Sequence, residues 1–116
     1  MSMQSYDYDR RFGGVARLYG KERLKTFQKS HICIVGIGGV GSWVAEALAR
    51  NGIGKITLID MDHIAESNIN RQIQALDSTI GSSKIEIMLS RLKDINPKIN
   101  IDIIDDFLDE NNIKKY

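Results

Sequence analysis

Residues 35–42 read VGIGGVGS, and within them Gly36, Gly38 and Gly41 fall at the spacing G-x-G-x-x-G. Glycines at this spacing suit phosphate binding. They allow a tight turn, a close approach of backbone to an anion, and close packing of a helix on a sheet. A helix opening directly behind the loop would add unpaired N–H groups and the positive end of its dipole. Asp60 follows Gly36 by 24 residues, at the end of a second apolar run, where a carboxylate can bind ribose hydroxyls. NAD would satisfy these features as well as ATP would. A purely structural turn is the plainer alternative.

The neighbouring residues narrow the choice. Gly39 doubles the central glycine, and with Ser42 behind it the chain could lie flat under a larger or reacting phosphate group. The stretch DMDHIAESNINRQ then sets Asp60 and Asp62 two apart, followed by Asn68, Asn70, Arg71 and Gln72. An NAD site has no need of an arginine and amides there. A site that cleaves a triphosphate at its α-phosphorus does, because negative charge gathers on the α-phosphoryl oxygens and the departing pyrophosphate. Fixed cationic and amide donors stabilise that charge, and arginine can do so bidentately. Lys84, behind IGSS at a helix start, is a second candidate phosphate contact. Read plainly, these residues are a polar surface loop and an exposed helix lysine.

These residues need elements to hold them. A chain of 116 residues is one domain, with 42% apolar and 27% charged residues as in ordinary soluble globular proteins. RLYGKERLKTFQKS places Leu18, Leu24 and Phe27 near helical spacing and closes at Ser30. HICIVGIG is a short β-branched run, predicted to be a strand buried on both faces. GSWVAEALARNGIG is predicted to be a helix with Val44, Ala47 and Leu48 on its inner face and Asn51-Gly52 as its stop. KITLID is a second buried strand. GSSKIEIMLSRLKDINP is a helix capped from Ser82 or Ser83 and ended before Pro97, and INIDIIDDF is a third strand. Alternation of strand and helix implies a parallel sheet with right-handed crossovers. The predicted class is α/β: the N-terminal half of a Rossmann-like, doubly wound ATP-binding domain over residues 31–116, preceded by a helical arm over 1–30. Such domains usually have five or six strands, so the chain reads as part of a longer one.

The net charge of +1 hides an asymmetry. Residues 1–31 carry seven Lys/Arg against three Asp/Glu, and the remainder nine against twelve. A basic arm could touch phosphates or simply be a solvated helix face. No apolar run is long enough to span a membrane, and the polar start MSMQSYDYDRR has no apolar leader. The lone Cys33, in the first strand, is predicted to be a small core residue and excludes an internal disulfide. These features fit a cytoplasmic protein. His31 and His63 are predicted at the surface, and Trp43 in core or dimer packing.

GIGGVGS, LIDMDHIAESNINRQ and IGSSKIE together resemble the ThiF/MoeB/HesA superfamily of ubiquitin-activating-enzyme-like adenylating proteins. RRFGGVARLYG, GSWVAEALAR and INP…DDF bring the chain nearer to one branch, the tRNA threonylcarbamoyladenosine dehydratases. The resemblance runs from about Asp9 to Phe107. It implies binding of ATP with Mg²⁺ and transfer of AMP to an acyl oxygen. In this branch the oxygen belongs to the threonyl carboxylate of threonylcarbamoyladenosine in tRNA, and its loss closes a ring. In the sulfur-carrier branch it belongs to the C-terminus of a small ubiquitin-like protein. Carried over by position, Gly36, Gly38, Gly39 and Gly41 would form the phosphate loop. Asp60 would bind ribose, and Asp62 ribose or metal. Asn68, Arg71 and Lys84 would contact phosphates, with Arg71 acting in catalysis. Arg17 matches an arginine that reaches the ATP of the neighbouring subunit, which implies a homodimer and a second catalytic cation. A further metal-binding aspartate of the family would lie beyond Tyr116, so no metal ligand is assigned. No continuous basic stripe with interleaved aromatics appears, so tRNA as a partner rests on the resemblance. A plain NAD-binding module and a non-catalytic nucleotide-binding or dimerisation domain are the alternatives of another class.

Overall fold

A computed structural model describes residues 6–116. The expectation of a leaderless polar start falls partly on residues 1–5, outside the described residues. Three short helices come first: α1 (Tyr8–Arg11), α2 (Gly13–Tyr19) and α3 (Lys21–Lys29). Asp7 caps α1 by accepting the Arg10 N–H at 3.0 Å. Gly20, at φ 93°, separates α2 from α3 in a backbone conformation that L side chains rarely adopt. The expected common face of Leu18, Leu24 and Phe27 is thereby corrected. The break resets the helical phase, leaving Leu18 74% exposed while Leu24 is 5% exposed.

The arm is fastened to the body by polar contacts as well as by buried Phe12 and Leu24. The Tyr8 hydroxyl donates to the Gly52 carbonyl at 2.9 Å, and Arg11 Nη1 donates to the Ile95 carbonyl at 3.0 Å. Both acceptors lie at the C-terminal ends of body helices, whereas the glycine loop lies at the N-terminal end of one of them.

The body is strand β1 (His31–Val35), helix α4 (Gly41–Arg50), strand β2 (Lys55–Ile59), helix α5 (Lys84–Ile95) and strand β3 (Asn100–Ile104). The strands form one parallel sheet in the order β1-β2-β3, with Ile32, Ile56 and Ile101 in register. This is the α/β architecture that the alternating pattern predicts. Ile34, Ile56 and Leu58 pack with Ala45 and Ala49 of α4 and Ile85, Met88 and Leu92 of α5 in a single core.

Both helices thus cover the same face of the sheet, and two expectations are corrected. Strand β1 is not buried on both faces: Val35 is 53% exposed, and Cys33 is exposed rather than a core residue. Their side chains alternate away from Ile34, toward the face that neither helix covers. Only β2, in the centre, is buried along most of its length. In α4 the inner face is Ser42, Ala45 and Ala49 with Leu48 beside it, while Val44 is 40% exposed and Ala47 is exposed. The small residues, not the larger valine, are the ones packed inward.

Helix α4 ends at Asn51 with Gly52 behind it, and Ser83 caps α5, both as expected. Buried Glu46 ties the two helices together. Its carboxylate accepts from Arg91 Nε at 2.6 Å and from Arg50 Nε at 2.9 Å. The Arg91 guanidinium, with Arg50, holds that carboxyl below its ordinary value against the opposing effect of burial. Among the described residues no helix is long and apolar enough to cross a membrane.

Candidate phosphate-binding site

Parallel strands deliver their following loops to one edge of the sheet, so residues 36–41 after β1 and 60–83 after β2 meet there. Gly36 turns the chain out of β1 at φ 86°. A Cβ on Gly41 would overlap the Gly36 carbonyl oxygen, so the loop closes on itself where α4 begins. Of the first amides of α4, those of Ser42 and Val44 donate to the Gly38 and Val40 carbonyls at 3.0 Å, and those of Gly41 and Trp43 make no backbone hydrogen bond among the described residues.

Asp60 straps this loop down. Its Oδ2 accepts the Ile37 N–H at 2.6 Å and its Oδ1 accepts the Asp62 N–H at 2.7 Å. Each oxygen keeps a free lone pair, so a ribose contact remains chemically open. The 60–74 segment then folds across the glycines. Arg71 lays its Cγ and Cδ 3.5 Å from where a Cβ on Gly39 would stand. Its Nη1 donates to the Ser67 carbonyl at 2.9 Å and to Asn70 Oδ1 at 3.1 Å. The guanidinium is exposed and has no ion-pair partner among the described residues, so it retains donors for an anion.

Lys84 is not the exposed helix lysine of the plain reading. Its side chain is 9% exposed and points to Asp62, with Nζ 4.0 Å from Oδ2, while the Asp62 side chain is 71% exposed. Asn68 is buried at 7% exposure, and its Oδ1 accepts the Ala65 N–H at 2.8 Å, closing the single turn Glu66–Asn68. Its amide nitrogen makes no hydrogen bond among the described residues and could donate to a ligand.

Ser42 is fully buried, and its Oγ accepts the Ile73 N–H at 3.4 Å, latching the crossing segment to α4. Of the two readings of Trp43, core packing is corrected: it is 52% exposed in the single chain, and its Nε1 donates to the Arg71 carbonyl at 2.9 Å. Arg17, which the resemblance assigns to the neighbouring subunit's site, lies in α2 of the arm and not at the glycine loop of its own chain. It lines a cavity of about 690 Å³ between the arm helices, with Tyr8, Asp9, Lys21, Lys25 and Gln28. His31 and His63 are exposed, as expected.

Sequence reasoning missed Gln74. It is 1% exposed and donates through Nε2 to the Ile37 carbonyl at 3.0 Å and to Gln72 Oε1 at 3.1 Å. Two glutamines separated by one residue carry no sequence signal of this; only the fold brings them beneath the loop. Alongside the loop, a shallow groove of about 530 Å³ runs past Val35, Gly36, Gly38, Val40, Gly41 and Val44. No group of three or more His, Cys, Asp or Glu able to hold a metal occurs among the described residues.

The arrangement offers backbone N–H donors, a free guanidinium, a buried ammonium and two carboxylates around one edge. It suits a polyphosphate joined to a sugar. Comparison with known proteins points to the same class of ligand. The model of the ThiF family matches residues 8–116. The chain is 56% identical over 106 residues to tRNA threonylcarbamoyladenosine dehydratase of Escherichia coli, covering 91% of this chain and 40% of that protein. It is 54% identical over 110 residues to the protein of the same name from Haemophilus influenzae, covering 95% and 42%. A solved structure of the E. coli enzyme, TcdA, in complex with ATP superposes with a TM-score of 0.94 at 52% identity, over 99% of this chain and 47% of that one. This chain therefore spans about two fifths of the length of these relatives.

Proposed function

We propose that this chain, which belongs to the ThiF family, binds ATP as part of an enzyme that adenylates and cyclises threonylcarbamoyladenosine in tRNA. The observation that carries the reading is the strapped glycine loop under Arg71, in a chain 56% identical to a dehydratase of that name. In the proposed reaction a threonyl carboxylate oxygen attacks the α-phosphorus of ATP and pyrophosphate leaves. The activated oxygen then departs with AMP as the ring closes.

Each residue has a task that its geometry supports. The N–H groups of Gly38, Gly39 and Gly41, which have no partner among the described residues, hold a phosphate, and Asp60 accepts from ribose hydroxyls with its free lone pairs. Arg71, with two bonds already fixing its direction, meets charge as pyrophosphate departs. Lys84 and the Asn68 amide contact the phosphates. Mg²⁺ is commonly held by one or two carboxylates together with substrate phosphates, and exposed Asp62 fits that limited role. When bound, the ion would neutralise phosphate charge.

Arg17 enters through a homodimer in this reading. Its place in the arm, joined to the loop by no hydrogen bond or ion pair among the described residues, suits a cation offered to the other subunit's site. The setting is the cytoplasm, where the tRNA substrate would be met.

Calorimetry of this chain with Mg·ATP and with NAD separates the nucleotides: ATP binding with no competition by NAD is expected, and NAD binding refutes the reading. Assay with modified tRNA and with a sulfur-carrier protein then identifies the acyl substrate. Adenylation of the carrier alone would transfer the function to the other branch. Arg17→Ala is expected to lower ATP affinity only at concentrations where sedimentation shows a dimer.

A further inference from the structure

Buried side chains fix the polarity of the glycine loop. The Ile37 carbonyl can only accept, so the Gln74 atom at 3.0 Å from it must be the amide nitrogen. That same nitrogen lies 3.1 Å from the Gln72 side chain, so the Gln72 atom facing it must be the oxygen. The Gln72 NH₂ then has one direction left, toward the loop. Its Nε2 lies 3.8 Å from where a Cβ on Gly38 would stand. The cost of this arrangement is visible in Gln74 Oε1, the one buried side-chain polar atom without a partner among the described residues. Turning the amide round would set that oxygen against the Ile37 carbonyl and put the nitrogen where the oxygen now has no partner.

Ile37 is held on both sides, its N–H by Asp60 in the Gly36–Ile37 peptide and its C=O by Gln74 in the Ile37–Gly38 peptide. In a trans peptide the carbonyl and the following N–H point in opposite directions. Drawing the Ile37 carbonyl inward to Gln74 therefore turns the Gly38 N–H outward, to where a phosphate would lie. We infer that Gln74 is a positioning residue for nucleotide binding: through Ile37 and Gln72 it aims the Gly38 N–H and the Gln72 amide at the phosphates of the bound nucleotide. This rests on the ATP reading above.

The test uses the 116-residue chain and two variants, Gln74→Leu and Gln72→Leu, each close in shape to glutamine but without its donors. Affinities for ATP and for adenosine are measured by titration and displacement, at a temperature where melting curves show each protein folded. Gln74→Leu is expected to bind ATP about tenfold more weakly, a change of about 1.4 kcal/mol, and adenosine within twofold of the parent. Gln72→Leu should show the same phosphate-selective loss, and the double variant little more than either single one. If Gln74→Leu does not fold, Gln72→Leu carries the same criteria. ATP affinity within twofold of the parent, or an equal loss for ATP and adenosine, overturns the inference. Failure of the parent to bind ATP would instead overturn the nucleotide reading, and the parent titration reveals that before any variant is compared.

Discussion

Asp60→Ala is expected to act on the fold before it acts on any ligand. The substitution removes the acceptor of two backbone N–H groups, Ile37 at 2.6 Å and Asp62 at 2.7 Å. A hydrogen bond to a charged acceptor contributes about 1.5–3 kcal/mol, and Asp60 is only half-buried, which favours the lower figure. The pair together comes to roughly 3 kcal/mol. Against a total stability on the order of 5–15 kcal/mol, that is a large fraction. Asp60→Asn keeps one oxygen and turns an NH₂ against the other N–H, so it should fall between the parent and alanine. Urea denaturation at constant m-value reads the order directly, and hydrogen exchange at the Ile37 and Asp62 amides localises it. If Asp60→Ala unfolds within about 0.5 kcal/mol of the parent, the size of ordinary surface effects, the strap is not a structural element. Unchanged exchange at those two amides would refute the reasoning as surely. Asparagine is therefore the substitution for measuring any ribose contact, because it disturbs the loop least.

Gly41→Ala sets a methyl group against the Gly36 carbonyl oxygen and should cost about 1–3 kcal/mol of stability along with ATP affinity. Gly39→Ala meets only Arg71 carbons at 3.5 Å, an ordinary contact, and should melt close to the parent in the same scan. Glu46 titrates below its ordinary 4.5 in the folded chain, so it releases its proton more readily folded than unfolded. Its stabilisation is therefore present above pH 4.5 and lost as pH falls through the lower folded value. Glu46→Gln should lower stability at neutral pH and flatten the acid limb of a pH–denaturation curve; an unchanged acid limb would exclude Glu46 as its source. If the proposed adenylation holds, Arg71→Ala should lower its kcat more than it raises KM for ATP, because the charge proposed for Arg71 to meet grows as pyrophosphate leaves. A pure rise in KM would make it a ground-state contact.

The elements were legible wherever one periodicity ran without interruption. Strand β2, helix α5 with Ser83 at its start, and the Asn51-Gly52 end of α4 stand where the sequence places them. What the sequence could not show was which face each element buries. That depends on how many layers cover the sheet, and both helices lie on one face. Cys33 and Val35 look like core from their neighbours in sequence and are exposed because nothing among the described residues packs over them. Leu18 failed for a local reason, the break at Gly20, which its spacing ignored. The candidate site was more legible than the faces, since its glycines, acids and Arg71 are marked by type and spacing. Its buried supports were less so: nothing in the sequence marks Gln74, whose contact spans 37 positions of chain, and the latch made by Ser42 spans 31.

That division has a physical cause. A glycine-rich segment is conformationally free, and the same freedom that lets it curve around an anion leaves it without a preferred curve. Its shape must come from elsewhere in the chain. Here the segment after β2 supplies it, with Asp60 holding the Ile37 N–H, Gln74 the Ile37 carbonyl, and Ser42 and Trp43 fixing the crossing segment to α4. Arg71 is thereby placed over Gly39 by the same contacts that shape the loop beneath it. Loop and cation form one unit, so a substitution in the 60–74 segment should alter phosphate binding even where its side chain touches no phosphate.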